Sequence, residues 1–141
     1  MKSVNPYLNF DGNCEEAFKF YQSVFGGELD IVRFKDMGDN MGASGDDLDK
    51  IANAGLPIGG GTMLLGSDVM GSWGQSYDPG NNFYINLEAE SLDETKRLFH
   101  DLSDGGEVEM PLEEPEWAEL FGMVIDKYGT RWMVYYPGNK A

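Results

Sequence analysis

The residues with the clearest chemical potential lie at alternate positions of one short segment in the second half of the sequence. Tyr84, Asn86 and Glu88 are separated by single residues. Because successive side chains of a β-strand point to opposite faces, this spacing places a phenol, an amide and a carboxylate on one face. A carboxylate whose pKa is raised by burial acts as a general base, while phenol and amide groups donate hydrogen bonds to a substrate. The pattern makes Glu88 the candidate catalytic base of a lyase or isomerase.

Glu88 also has a purely structural interpretation. If it lies at the solvated end of its strand, a surface ion pair with Arg131 or Arg33 accounts for it without catalysis. The two interpretations differ in the surroundings of the carboxylate, which the sequence leaves open.

The same alternation predicts which side chains line a ligand site. Leu8 and Phe10 in the first strand, and Leu87 and Ala89 in its counterpart, are apolar and are expected to face the helices. The intervening side chains then face the other way, and two residues of a later strand join them. Aromatic walls with few polar groups are usual for small-molecule sites. The predicted ligand-binding set, with Trp117 on the segment that closes the mouth of the cavity, is Tyr7, Asn9, Tyr84, Asn86, Trp117, Met133 and Tyr135.

Other reactive residue types fit structural roles better. Cys14 lies in the first turn of a predicted helix, where the dipole lowers a thiol pKa, but Glu15 and Glu16 oppose this effect. His100 lies on a mostly polar helix face, so a surface histidine is expected. The triple glycine at 59–61 lies between two predicted strands and is followed by neither a helix nor a lysine, so it is not a phosphate-binding loop.

Hydrophobic periodicity divides the first half of the chain into one helix and four strands. Alternation over residues 6–10 predicts a strand. Asn13, with Glu16 three residues later, predicts a capping box at the start of a helix that two glycines end at 26–27. Strand patterns follow at 29–34, 51–58 and 62–65.

The second half repeats this order at an offset of about 79 residues. A strand at 83–89 precedes a helix that begins with a capping box of Ser91 and Glu94 and ends at 105–106. Three strands follow, at 107–110, 120–125 and 131–136. Five elements in the same order indicate an internal duplication. The predicted fold is α+β, a single domain over 1–141 with module 1 at about 1–69, a linker at about 70–82 and module 2 at about 83–141.

Two segments lack regular periodicity. Residues 36–49 are rich in Gly, Asp and Met but lack the ligand spacing of a calcium loop, so a mobile flap and a plain solvent loop both remain open. Residues 70–82 carry Trp73 and Tyr77 among turn-forming residues, which fits a linker between the modules.

Charge and composition limit the partners. A formal net charge of -15 repels phosphate backbones, so nucleic acid is not an expected partner. No stretch approaches the roughly 20 apolar residues of a membrane-spanning helix, and the N-terminus lacks the apolar core of a signal peptide. Cys14 is the single cysteine, which excludes an intramolecular disulfide and suits a reducing compartment. These features predict a cytoplasmic protein without membrane contact.

Short motifs spread over nearly the whole chain resemble one protein family. The motifs are PYL at 6–8, FDGN at 10–13, EEA at 15–17, GSD at 66–68, MPLE at 110–113, FG at 121–122, YG at 128–129 and RW at 131–132. In this order they resemble the PhnB-like branch of the glyoxalase/bleomycin-resistance/extradiol-dioxygenase superfamily, also called the vicinal oxygen chelate superfamily. The resemblance implies two βαβββ modules that form a cup-shaped mixed sheet with the helices outside, and usually a homodimer.

The resemblance also raises the question of a metal. Catalytic members of that superfamily hold a divalent ion with His and Glu side chains from the first and last strands of each module. Alignment of the strand phases places those positions at or near Asn5, Leu64, Tyr84 and Met133. An amide, a phenol and a thioether are poor ligands for a hard divalent ion, and the only histidine, His100, lies on a helix. Neither a metal nor another cofactor is therefore expected.

The leading functional hypothesis is a metal-free protein that binds or sequesters a small, partly aromatic or cationic ligand between its modules. One alternative is a lyase or isomerase with Glu88 as base, and a divalent-metal-dependent glyoxalase or dioxygenase is the third. The methyltransferase activity sometimes attributed to this branch finds no support, because no Gly-rich nucleotide-binding strand-turn-helix is present. A role in protein interaction alone, with the dimer as its purpose, is the remaining class.

Overall fold

A computed structural model describes residues 1–70 and 76–140 of the chain. The chain divides into two compact units, Met1–Asp78 and Pro79–Ala141. The division falls inside the segment predicted as a linker, and the part of that segment around Trp73 lies outside the described residues. Neither helix of the described chain has the length and apolarity needed to cross a bilayer.

The first unit contains one helix and a four-stranded mixed sheet. Its elements are β1 (Tyr7–Phe10), α1 (Cys14–Phe25), β2 (Asp30–Arg33), β3 (Ile51–Gly59) and β4 (Thr62–Asp68). The strand order is β1-β4-β3-β2, in which β1 runs parallel to β4 and the other neighbours are antiparallel.

The second unit repeats this arrangement. Its elements are β5 (Ile85–Glu88), α2 (Leu92–Ser103), β6 (Glu107–Glu113), β7 (Leu120–Ile125) and β8 (Arg131–Tyr136). The strand order β5-β8-β7-β6, with β5 parallel to β8, matches that of the first unit. The predicted α+β class and the two βαβββ modules are therefore confirmed.

Each helix covers one face of its own sheet. In β1 the burial alternates as predicted, with Leu8 and Phe10 buried and Tyr7 and Asn9 exposed. Helix α1 packs on β3 and β4, and the ring of its Phe18 meets Phe10 edge to face at 6.0 Å. Helix α2 packs on β7 and β8 in the same way, over buried residues that include Trp132 and Val134. The opposite face of each sheet is left free of its own helix.

The two helices begin in different ways. Ser91 accepts a hydrogen bond from the backbone N–H of Glu94 at 3.0 Å, as the predicted cap requires. Asn13 makes no capping hydrogen bond with its side chain, so the predicted capping box at α1 is wrong. Buried Asp68, at the end of β4, accepts from the N–H of Cys14 at 3.0 Å and from the N–H of Ile51 at 2.9 Å. A carboxylate from a distant strand thus caps the first helix.

The segment at 36–49 is anchored by apolar contacts. It contains the last residue of one 3₁₀ turn, Phe34–Asp36, and all of a second, Gly45–Asp49, and buried Ala43 lies between the two turns. Ala43 packs with Phe34 and Met70 in one buried cluster. Ala43 therefore anchors the segment to the first unit, while most of its other residues are exposed.

Candidate ligand-binding face

The predicted site residues of the second unit lie together on the face of its sheet opposite α2, which we call the open face. The parallel pairing of β5 with β8 sets Asn86 beside Met133 and Glu88 beside Tyr135. The residues between them on β8 are buried on the other face, under the helix. Strand register therefore brings an amide, a carboxylate, a thioether and a phenol to one surface.

One end of the open face is aromatic. The Tyr135 hydroxyl donates a hydrogen bond of 2.9 Å to the Glu88 carboxylate. The Tyr135 ring centroid is 5.8 Å from that of Trp117 with the planes tilted by 59°, and Trp117 meets Phe121 edge to face at 4.8 Å. Trp117 is 51% exposed, so much of its indole surface is open to solvent. We call these four residues the aromatic end.

The surroundings of Glu88 match the structural interpretation only in part. Its side chain is exposed, so the burial expected for a general base is absent from the described structure. The predicted ion pair with an arginine is also wrong, because Arg131 pairs with Glu109 and Arg33 pairs with Glu15. The partner of Glu88 is instead a phenol. The hydrogen bond to this carboxylate is the main cause that raises the pKa of Tyr135, followed by burial of the ring.

The other end of the open face is polar, and its two opposite charges, Arg131 and Glu109, form an ion pair. The Tyr84 hydroxyl donates to Glu109, and this hydrogen bond raises the pKa of Tyr84. Arg131 donates from Nη1 to the second oxygen of Glu109 at 3.0 Å, and its guanidinium lies 5.9 Å from the centre of the Tyr84 ring. The buried Nε of Arg131 has no hydrogen-bond partner among the described residues. The positive charge of Arg131 is thus balanced by the carboxylate of Glu109.

Tyr7 and Asn9 lie on the corresponding face of the first sheet. Both are exposed, and the parallel register of β1 with β4 sets them beside Leu65 and Ser67. They share this face as predicted, within their own unit.

Three residues of the open face were not predicted as site residues. Arg131 alternates with Met133 and Tyr135 along β8, so the same strand phase would have included it. Phe121 faces Tyr135 across the β7–β8 pairing. Glu109 lies where the register of β6 shifts at a bulge, and simple alternation fails at such positions.

Strand register defines more closely the metal-ligand position that was predicted near Leu64. Leu64 is fully buried under α1 and does not reach the open side of its sheet. Leu8 pairs with Gly66 as Leu87 pairs with Val134, so the counterpart of Met133 in the first unit is Leu65.

The amino-acid sequence is similar to that of a known protein family over nearly its whole length. The model of the family described as 3-demethylubiquinone-9 3-methyltransferase matches residues 2–135. The chain belongs to this family. A curated relative, protein YjdN of Escherichia coli K12, is 34% identical, and the match covers 93% of this chain and 92% of the relative.

Solved structures agree with this family assignment. Protein PA1353 from Pseudomonas aeruginosa is 38% identical with a TM-score of 0.84, and the match covers 95% of this chain and 96% of that one. A putative 3-demethylubiquinone-9 3-methyltransferase, PhnB protein, from Bacillus cereus is 27% identical with a TM-score of 0.69, covering 95% and 98%. A glyoxylase/bleomycin resistance protein/dioxygenase domain from Frankia shares the fold at 15% identity and a TM-score of 0.61, covering 97% and 96%. The predicted membership in the PhnB-like branch of the glyoxalase/bleomycin-resistance superfamily is confirmed.

The residues of this PhnB-like chain do not fit the metal that the superfamily implies. The Asn5 amide oxygen accepts a hydrogen bond from the N–H of Met63 at 2.8 Å, and the Tyr84 hydroxyl donates to Glu109. The other two positions carry the side chains of Leu65 and Met133, which offer no hard donor atom. Among residues 1–70 and 76–140, no group of three or more His, Cys, Asp or Glu side chains is placed to hold a metal ion.

Proposed function

We propose that this PhnB-like protein binds and sequesters a small organic ligand on the open face of its second sheet, without a metal. The observation that carries the proposal is the aromatic end, where half-exposed Trp117 lies beside Tyr135 and the Tyr135 hydroxyl is fixed on Glu88. Large aromatic surfaces supply most of the affinity of small-molecule sites, and a few polar groups set the orientation. Asn86 and Met133 extend the same surface towards the polar end.

The cellular compartment and the oligomeric state of the protein are also proposed. One cysteine, buried in α1, suits a reducing compartment, so we place the protein in the cytoplasm. We also propose a homodimer, because each four-stranded sheet has two edges that its own unit leaves unpaired.

A ligand screen with matched variants tests the binding site. Small aromatic compounds are titrated into the isotopically labelled protein, and chemical-shift changes are followed by NMR. We expect hits to shift residues of the aromatic end and to lose affinity in Trp117→Ala. The control is Phe83→Ala, which removes an equally exposed aromatic ring, 53% exposed, outside the aromatic end. Equal loss in both variants would contradict a specific site.

Elemental analysis tests the absence of a metal. Protein purified without chelators is expected to carry no stoichiometric divalent ion. One equivalent of Zn, Ni, Mn or Fe per chain, lost when Asn5, Tyr84 or Met133 is substituted, would refute the metal-free site.

A second candidate function is proton-transfer catalysis by a lyase or isomerase. The Glu88–Tyr135 hydrogen bond favours it, because it places a carboxylate base next to a phenolic donor. Under this alternative, Glu88→Gln abolishes turnover of a bound compound and leaves its binding largely intact. A sequestering protein instead returns every hit unchanged, which NMR of the recovered compound detects.

The family description also names a methyl transfer, which we do not propose for this chain. Gly59 is the last residue of β3, Gly60 and Gly61 form the hairpin turn to β4, and all three have positive φ. A nucleotide-binding glycine loop instead connects a strand to a helix whose N-terminus holds the phosphates.

A further inference from the structure

Glu88 carries an unbalanced negative charge on the open face. It is exposed, and it forms no ion pair with any Lys or Arg among residues 1–70 and 76–140. Arg131 is four residues from Tyr135 along β8, or about 13 Å at the rise of a strand, and it is bound to Glu109. The Glu88 carboxylate accepts a hydrogen bond from a neutral phenol, which orients the carboxylate and leaves its charge in place.

Aromatic surface lies directly beside this charge. Tyr135 connects Glu88 to Trp117, because its hydroxyl binds the carboxylate and its ring lies 5.8 Å from the indole. The faces of indole and phenol rings attract cations, and a cation held there also gains attraction from the carboxylate. An anion at the same position is repelled by Glu88 and by the net charge of -15.

We infer that the ligands of the aromatic end are flat organic monocations, in which a positively charged nitrogen lies at Glu88 and an attached ring lies on Trp117. The inference rests on the proposed function, since it names the chemical class that this site binds. Glu88 is the one carboxylate among the four residues of the aromatic end, and it matches one positive charge. The neutral polar end, where Arg131 and Glu109 cancel, offers no second anionic partner for a dication.

Three probes of nearly the same shape test the charge preference. They are N-methylquinolinium, a cation, 1-methylnaphthalene, which is neutral, and 1-naphthoate, an anion. Each is titrated into the full chain and its dissociation constant is measured by NMR. We expect the cation to bind most tightly and the anion most weakly. Added salt should weaken binding of the cation more than that of the neutral probe, because salt screens only the charged contact.

Variants of exposed residues assign the preference to Glu88. Glu88→Gln should lower the affinity for the cation about fivefold and leave the affinity for the neutral probe unchanged. Glu28→Gln makes the same change of charge at an exposed carboxylate in the first unit and should leave all three affinities unchanged. Trp117→Ala should lower the affinity for all three probes, since each loses contact with the same ring surface.

The outcomes separate this inference from the proposed function. Equal affinity for the three probes, with sensitivity to Trp117→Ala, would overturn the monocation class and leave the binding site intact. A cation preference that survives Glu88→Gln would overturn the role of Glu88. No binding of any probe would count against the aromatic end as a site, and with it against the proposed function.

Discussion

The hydroxyl of Tyr135 and the carboxylate of Glu88 face each other across neighbouring parallel strands and are joined by a 2.9 Å hydrogen bond. The carboxylate raises the pKa of the phenol, so Tyr135 stays protonated as a donor throughout the neutral range. The same contact fixes the position of Glu88 beside Trp117. This hydrogen bond therefore orients the Glu88 carboxylate, which is the base of the alternative catalytic function and the negative charge of the inferred cation site.

Removal of Glu88 should change the titration of Tyr135. In Glu88→Ala, the pKa of Tyr135 is expected to fall towards the ordinary value of about 10, because the carboxylate that holds the phenolic proton is gone. NMR titration of Cζ-labelled tyrosines, with Tyr135→Phe for assignment, measures this change. Glu109→Ala is the matched control, since it should lower the pKa of Tyr84 and leave Tyr135 unchanged.

The raised pKa of Tyr135 also gives its stability contribution a pH dependence. The folded state binds the phenolic proton more tightly than the unfolded state does, so the contribution is complete below the ordinary pKa of about 10. It is lost as the pH rises through the raised value in the folded protein. The difference in unfolding free energy between wild type and Tyr135→Phe should therefore shrink only in alkaline solution. A difference that shrinks towards acid instead would contradict this linkage.

Asp68, and not Asn13, should control the stability of α1. Asp68→Ala leaves two backbone N–H groups without their acceptor, those of Cys14 and Ile51, and is expected to cost about 2–4 kcal/mol of unfolding free energy. Asn13→Ala removes no capping hydrogen bond and should cost less than about 0.5 kcal/mol. Urea denaturation of both variants measures the difference. Equal costs would show that Asn13 caps the helix after all.

Gly66 should not tolerate a side chain. A Cβ atom there would lie 2.7 Å from the Phe18 ring and 2.8 Å from the carbonyl oxygen of Leu8, so helix and strand would have to separate. Gly66→Ala is expected to destabilise the protein by about 1–3 kcal/mol. Gly38→Ala is the control, because nothing lies within 4 Å of its added Cβ atom, and its stability should stay within about 0.5 kcal/mol of wild type. Urea denaturation of both variants measures the difference in unfolding free energy.

The C-terminal turn should hold the segment that carries Trp117. Lys140 forms an ion pair with the Glu114 carboxylate at 2.7 Å and donates a hydrogen bond of 3.0 Å to the carbonyl oxygen of Pro115. The backbone N–H of Asn139 donates a hydrogen bond of 2.7 Å to the Glu119 carboxylate. Lys140→Ala is expected to shift and broaden the indole N–H signal of Trp117 in NMR spectra. Lys96→Ala removes an exposed lysine of α2 and should leave that signal unchanged. An unaffected signal in Lys140→Ala would show that the turn does not position Trp117.

A homodimer is expected in solution. The chain has a mass of 15.7 kDa, so light scattering should give about twice this value. Strand β6 forms an edge of the second sheet, and its Val108 and Met110 are 46% and 39% exposed, as is typical of an edge that a partner covers. A stable monomer at micromolar concentration would contradict the proposal.

The local order of the fold was predictable from the amino-acid sequence. The duplicated strand and helix periodicities predicted both βαβββ modules, and the bounds of β7 and β8 agree with the prediction. Ser91 and Glu94 are three residues apart, so their capping contact was also visible in the sequence. The alternation in β5 and β8 correctly placed Asn86, Met133 and Tyr135 on one face. Each of these signals depends on neighbours within a few residues of the same chain segment.

The polar contacts between residues far apart in the sequence were decided by tertiary structure alone. Asp68 caps a helix that begins 54 residues earlier, and Glu88 binds a phenol 47 residues later. Glu109, which lies where the register of β6 shifts, binds Arg131 22 residues later. A polar side chain selects its partner from whatever strand pairing brings within hydrogen-bond distance. That pairing depends on the register of segments far apart in the chain, which hydrophobic periodicity does not encode. The sequence by itself therefore determined the elements and their buried faces, and the tertiary structure decided which charges of the described open face are paired within the protein.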